Sequence, residues 1–503
     1  MWTNKQKNKV SVIVKSFGFL FGLVCIVIFL THILTPKYFM NQTWAVTTTF
    51  DNFYKIKKNT IDVLFFGSSR AAASFVPQEM YNNYGITSYN LGSEQQNTVV
   101  SYYWLKEALN YQNPKAVILD VKHLFVYDEN EKLNSHVSCT RKPIEHMKMS
   151  SVKREAIKDI CSLDDKQSAI GYYFPLYNYH TRWKHLKEED FSYREQLQSG
   201  KAKGYAPLYR AGGIDTELPY ETENEVSSVG KQKFVPLIEI YLSKMVDLCR
   251  EKGVQLILVN VPYRESTEAH YYAVKEYADE KEIPYYDFCA APLYQKVEYN
   301  FQLDNQDAVH SNLSGAKKLT NYMGEILSEE YGIGSHVDVQ WEESRDYYAG
   351  ICKDFELINT ADIYEYFAIL KDKRYAVFMA ASDDASTGLN DKMSELFRHL
   401  GLEGTVRDHF RSSYYAIISD QEIMEKVDDE QLKVSGVFRD GRSTYEISSG
   451  GYDSGSGCSI KIDQVEYAKN KRGLNIVVYN LLTQTVIDSI CFDTYLAEMP
   501  AIR

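Results

Sequence analysis

Two short stretches carry residue types that can do covalent chemistry together. "DVLFFGSSRAAASF" (62–75) is an apolar run that stops on Gly67-Ser68-Ser69-Arg70 and resumes in small residues. "LDNQDAVHSNLSGAKKL" holds Asp307 three residues before His310. A serine hydroxyl is a weak nucleophile until a neighbouring base takes its proton. An imidazole does this best when a carboxylate orients its other nitrogen. An Asp-x-x-His pair on one turn supplies base and orienting group, and a Gly-x-Ser turn supplies a hydroxyl with backbone N–H groups around it for an oxyanion. Together these residues predict a nucleophilic serine in this turn, a base His310 and a steadying Asp307. Taken singly, Ser69 reads as a helix cap and His310 as a satisfied, half-buried histidine.

Residues so far apart in sequence meet only if the elements between them bring them to one edge. From about Asn52 to Gly332, strand-like runs ("IDVLFF", "KAVILDV", "VQLILVNVP") alternate with helical ones such as "TVVSYYWLKEALNYQ" and "SGAKKLTNYMGEILSEEYG". Unbroken apolar strands are what a parallel sheet covered on both faces requires, so the fold class is α/β. Such sheets keep their sites at the carboxyl ends of the strands, where Ser69 stands. A polar, tyrosine-rich insertion is expected over about 130–230. Within it "NYHTRWKHL" offers His180, Arg182 and Trp183, either to line a groove or to fix the insertion to the body. His123 in "DVKHLF" follows a strand at the same edge as Ser69. From Tyr347 the texture changes, and a smaller mixed α+β domain is expected over 347–503, with "SSGGYDSGSG" as a loop or internal linker.

The N-terminus sets location. The apolar stretch 16–35 is long enough to cross a bilayer as a helix, and Lys5, Lys7 and Lys9 precede it. Pro36, Lys37, Tyr38 and Phe39 follow in place of a small-x-small cleavage site. An uncleaved single-pass anchor is therefore expected, with residues 1–15 cytoplasmic and the bulk outside the cell membrane. The net charge of −12, with no Lys/Arg-dense tract, argues against a nucleic-acid partner. Eight cysteines without a CxxC or short-spaced pair suggest neither a zinc site nor a disulfide framework, and no cofactor or metal is expected.

In chain order, "FFGSSR", "YNLGSEQQN" and "DAVHSNLSG" resemble the nucleophile, second and closing blocks of the SGNH/GDSL hydrolase superfamily, in particular its membrane-anchored, DltD-like and polysaccharide acyltransferase branch. The resemblance covers residues 50–335, implies that Ser69 is the nucleophile with His310 and Asp307 as its partners and Asp304 as the alternative to Asp307, and departs from the family at Ser68, where an aspartate is usual. It implies that the amides of Ser69 and Gly92 bind the oxyanion with one side-chain amide. Gln96 is the leading candidate for that amide, with Gln95 and Asn97 as alternatives. It further implies a multispanning MBOAT-type acyltransferase as acyl donor partner and an envelope glycan as acceptor.

The last segment carries a second resemblance, to the interleukin-like EMT inducer (ILEI, PANDER-like) domain. Ser382-Asp383-Asp384, Arg411-Ser412-Ser413-Tyr414, Arg472-Gly473-Leu474-Asn475 and Phe492-Asp493-Thr494 carry it, in an order that a circular permutation would reconcile. It implies carbohydrate binding, with Asp383, Asp384, Arg472 and Asn475 as candidate contacts. Three readings follow: an anchored O-acyltransferase acting on a cell-envelope polysaccharide or teichoic-type polymer, a carbohydrate esterase or deacetylase of the same geometry, and a non-catalytic glycan-binding scaffold.

Overall fold

The computed structural model describes residues 4–37, 44–125, 133, 136–187, 190–191, 200–212, 215–222, 232–335 and 337–503. Several stretches of the expected insertion, 192–199 and 223–230 among them, lie outside the described residues. The chain divides into two compact units, Met1–Leu208 with Gly212–Tyr347, and Tyr209–Ala211 with Tyr348–Arg503.

The first unit is built on five parallel strands: β1 (Val63–Phe66), β2 (Ser88–Asn90), β3 (Ala116–Asp120), β4 (Gln255–Asn260) and β5 (Tyr285–Asp287), in the order β2-β1-β3-β4-β5. Successive strand residues point to opposite faces. Leu64, Phe66, Val117, Leu119, Leu256 and Leu258 enter one core, which also takes Phe50, Phe53 and Trp104. Val63, Phe65, Ile118, Ile257 and Val259 enter the other, against the helix Leu313–Glu329. Both faces are covered, which is why these strands read as unbroken apolar runs. Part of the expected insertion joins this core: helices Val137–His146 and Ser151–Leu163 bury Ile144, Ile157 and Ile160 in it. In a sheet of this order the connections diverge between β1 and β3, and the crevice beyond the carboxyl ends of those two strands is the natural site.

One helix among the described residues, within Asn4–Leu34, is long and apolar enough to cross a membrane, over Val12–Leu34. Most of it is exposed, but its end is not: Ile33 and Leu34 are buried. The final carbonyls, which a helix leaves without partners, are taken up by cations. Lys37 Nζ donates to the His32 and Ile33 carbonyls, and Arg182 Nη1 to those of Ile33 (3.2 Å) and Leu34 (3.4 Å).

The second unit holds a mixed sheet. Its central strand Tyr375–Asp383 pairs antiparallel with Gly473–Asn480 and with Ser413–Ile418, and briefly in parallel with Ser443–Gly451. Helices Ile363–Ile369 and Asp391–His399 pack Phe367 against Phe397 over one face. All eight cysteines are free, and Cys139, Cys249, Cys289, Cys458 and Cys491 are buried.

Candidate active site

β1 ends at Phe66, and the chain turns through Gly67 at φ +143°. A Cβ there would lie 2.9 Å from Asp120 Cβ and 3.0 Å from Ala71 Cβ, so only glycine lets the turn close against β3. Ser68 caps the helix Ser69–Ser74, its Oγ accepting from the Arg70 amide at 3.3 Å. The cap role open to Ser69 thus falls to Ser68. Ser69 begins the helix, and its amide has no acceptor among the described residues.

Ser69 Oγ lies 2.9 Å from His310 Nε2. On the far side of the ring, His310 Nδ1 lies 3.0 and 2.9 Å from the two Asp307 carboxylate oxygens. The carboxylate also accepts from the amides of Val309 (2.8 Å) and His310 (2.9 Å), which folds residues 307–310 into one tight turn. Burial pushes the Asp307 carboxyl up, but the His310 ring and these two amides outweigh it and hold it below the usual carboxylate range. Asp304 is elsewhere: almost wholly buried, it binds Ser314 Oγ (2.6 Å) and Lys318 Nζ (2.7 Å) and so braces the following helix.

Direct bonds join the two halves of this arrangement. Ser74 Oγ meets Ser311 Oγ at 3.0 Å, and the Val76 amide donates to Thr320 Oγ1 at 2.9 Å. Residues 206–208 run alongside, the Ala206 amide donating to the Ala72 carbonyl and the Leu313 amide to the Leu208 carbonyl.

The expected oxyanion donors fare differently. The Gly92 amide donates to Asn90 Oδ1 at 3.0 Å, while Asn90 Nδ2 holds the Ala71 and Phe75 carbonyls. Gly92 therefore serves close approach: a Cβ would stand 2.9 Å from the Ser68 carbonyl oxygen. Gln96 is buried and its amide hydrogens go to the Leu91 carbonyl (3.0 Å) and Ser101 Oγ (3.1 Å), which corrects the expectation that it reaches the oxyanion. Asn97 caps the helix Thr98–Ala108 and donates to Leu133 and Thr140. Gln95 stands half-buried at φ +46°.

Two neighbours went unforeseen in the sequence. Trp44 lies with its indole 4.9 Å from the His310 ring, tilted by 41°. Arg70, next to the serine, is wholly buried; its Nη2 pairs with Asp120 Oδ1 at 3.3 Å and its guanidinium lies 4.1 Å over the Tyr263 ring. Burial and then Arg70 push the neighbouring Lys122 ammonium down to about 8. His123 is buried, and burial, Lys122 and Arg70 together push it down to about 3, so it stays neutral. In the insertion, Arg182 grips Asp190 through two 2.8 Å bonds as well as the apolar helix end, while Trp183 is exposed.

The four candidate sugar contacts of the second unit are partly committed inward. Asp384 accepts from Ser386 and Thr387 and is buried, and Asn475, fully buried, ties Lys471 and Gly473. These two brace turns, and the expectation that they touch a ligand is corrected. Asp383, at φ +65°, and Arg472 stay nearer the surface; Arg472 pairs with Asp493 and lies 4.4 Å over the Tyr495 ring.

No family model matches the chain, and no curated protein matches it. Solved structures do. One is a Bacteroides fragilis protein described as an acylhydrolase, at 12% identity and TM-score 0.25, covering 56% of this chain and 94% of that one. Another is a GDSL-like lipase from Bacteroides thetaiotaomicron, at 10% identity and TM-score 0.25, covering 56% and 99%. A third is a gut microbial diltiazem-metabolizing enzyme, at 14% identity and TM-score 0.19, covering 55% and 48%.

Proposed function

We propose that the chain is a membrane-anchored, extracytoplasmic O-acyltransferase of SGNH type that modifies a cell-envelope polysaccharide or teichoic-type polymer. The observation that carries the proposal is the unbroken path from Ser69 Oγ through the His310 ring to the Asp307 carboxylate, just beyond the carboxyl end of β1. In this reading Ser69 Oγ attacks an acyl carbonyl while His310 Nε2 takes its proton, and Asp307 steadies the imidazolium. The Ser69 amide receives the oxyanion. His310 returns its proton to the leaving group, then removes one from the acceptor hydroxyl as that oxygen attacks the acyl-serine, and passes it to Ser69 Oγ as the acyl–serine bond breaks. A sugar hydroxyl gives transfer and water gives hydrolysis.

The buried, cation-capped end of the apolar helix supports an anchor that stays part of the folded protein. An anchored enzyme outside the cytoplasm needs an acyl group delivered across the bilayer, which fits a multispanning MBOAT-type partner. In the second unit, Asp383, Arg472 and Tyr495 offer a polar and aromatic surface suited to holding a glycan.

A fluorophosphonate probe tests the catalytic part. Labelling of the wild type that is lost in Ser69→Ala is expected; equal labelling of both, or none of either, overturns the enzyme reading. Incubating the full chain with an acyl donor and purified envelope glycan then distinguishes an acylated polymer from free acid.

A further inference from the structure

The described residues from Ala169 to Phe191 expose a run of large apolar side chains. Their helical turns Ala169–Tyr173, Leu176–Tyr179 and His180–His185 bury only Gly171 and Tyr172. Ile170, Tyr173, Phe174, Tyr177, Trp183 and Phe191 are all exposed, with Phe174, Trp183 and Phe191 each beyond 60%. Several large aromatic side chains left in water along one short stretch call for a covering partner.

Its neighbour identifies the partner. The turns at 176–185 touch the Asn4–Leu34 helix. Arg182, beside Trp183, donates to the Ile33 and Leu34 carbonyls at the point where the apolar span ends. The turns that carry Tyr177 and Trp183 therefore adjoin the apolar span, whose surface would face acyl chains. Tryptophan and tyrosine concentrate where hydrocarbon gives way to headgroups, since an apolar ring with a polar edge suits both. Lys184, His185 and Lys187 are interspersed with them, and cations at that depth meet phosphate groups.

We infer that residues 170–187, with Asp190 and Phe191, form an interfacial platform that lies in the headgroup layer of the leaflet where the anchor emerges. This rests on the anchor reading above. The anchor alone is a single pivot; a second contact beside it stops the body from tumbling about the helix axis and presents the Ser69–His310 crevice at a set orientation to the membrane.

The test uses the full chain in vesicles of phosphatidylcholine and phosphatidylglycerol, in a Trp2→Phe, Trp44→Phe background so that no tryptophan close in sequence flanks the apolar stretch on either side. Replacing the lipids with brominated analogues, which quench tryptophan on contact, is expected to remove part of the emission. Trp183→Phe is expected to abolish that quenched part. Quenching that survives Trp183→Phe, or no quenching at all, overturns the platform, including the case where another protein covers the patch. Intact mass of the same membrane sample checks the anchor separately: loss of the residues before Pro36 removes both readings, whereas full mass without quenching removes only the platform.

Discussion

Asp307 is the residue whose role is easiest to isolate, because its side chain is nearly half exposed and its loss leaves no buried hole. Asp307→Asn keeps the shape but cannot hold the imidazole in the same tautomer. The rate of Ser69 labelling is expected to fall about a thousandfold or more, with the melting temperature nearly unchanged. The sign with pH follows from the depressed carboxyl: its contribution is present above the ordinary carboxylate range and is lost as pH falls through its lower folded value. Trp44 allows a finer experiment. Its contact with the His310 ring is worth about 0.5–1.5 kcal/mol beyond simple burial, so Trp44→Ala is expected to slow labelling by about 3- to 10-fold. Trp44→Phe should restore most of that rate.

At the scale of elements, the site depends on how tightly the β1 turn closes on β3. Gly67→Ala forces a Cβ against Asp120 and asks alanine to hold a positive φ, which costs about 1–3 kcal/mol. Labelling is expected to fall further than stability does, because the displaced residue is two positions before Ser69. Arg70 and Asp120 behave as a unit. Arg70→Met leaves a buried carboxylate without its cation and is expected to cost about 3–5 kcal/mol in urea unfolding, and adding Asp120→Asn should recover part of it. The meeting of Ser69, Asp307 and His310 was legible because each lies in a short turn whose residue types announce it, and because apolar runs revealed the covered strands between them. The oxyanion side was not. Gln96 and Asn97 have the right chemistry, yet their amides are claimed by Leu91, Ser101, Leu133 and Thr140, and no local pattern marks such claims. Trp44 was equally hidden, since it lies in a stretch without periodicity and gains meaning only through a ring more than two hundred residues away.

For the molecule as a whole, the two units carry separate cores and can be addressed separately. Asp354 is buried in the second, where it accepts from Tyr375 Oη (2.8 Å) and from Asn480 Nδ2 (3.0 and 2.9 Å). Burial nevertheless raises its carboxyl to about 6. A raised carboxyl binds its proton more tightly when folded, so the contribution is complete below about pH 4 and disappears as pH climbs through the folded value. Calorimetry on the full chain is expected to show the second unit losing about 3 kcal/mol between pH 4 and 7. Asp354→Asn should flatten that dependence and leave the first unit's transition where it was.

The short run between the apolar helix and Trp44 limits where chemistry can happen. From Leu34 to Trp44 is ten residues (44 − 34), which even fully drawn out reach only about 35 Å. Because Trp44 rests on the His310 ring, which Ser69 Oγ meets at 2.9 Å, that leash bounds how far Ser69 can stand from the end of the apolar helix. For the anchored transferase proposed above, so short a tether would confine the reaction to a thin shell against the cell, and strands of polymer farther out would come within reach only while being extruded past it.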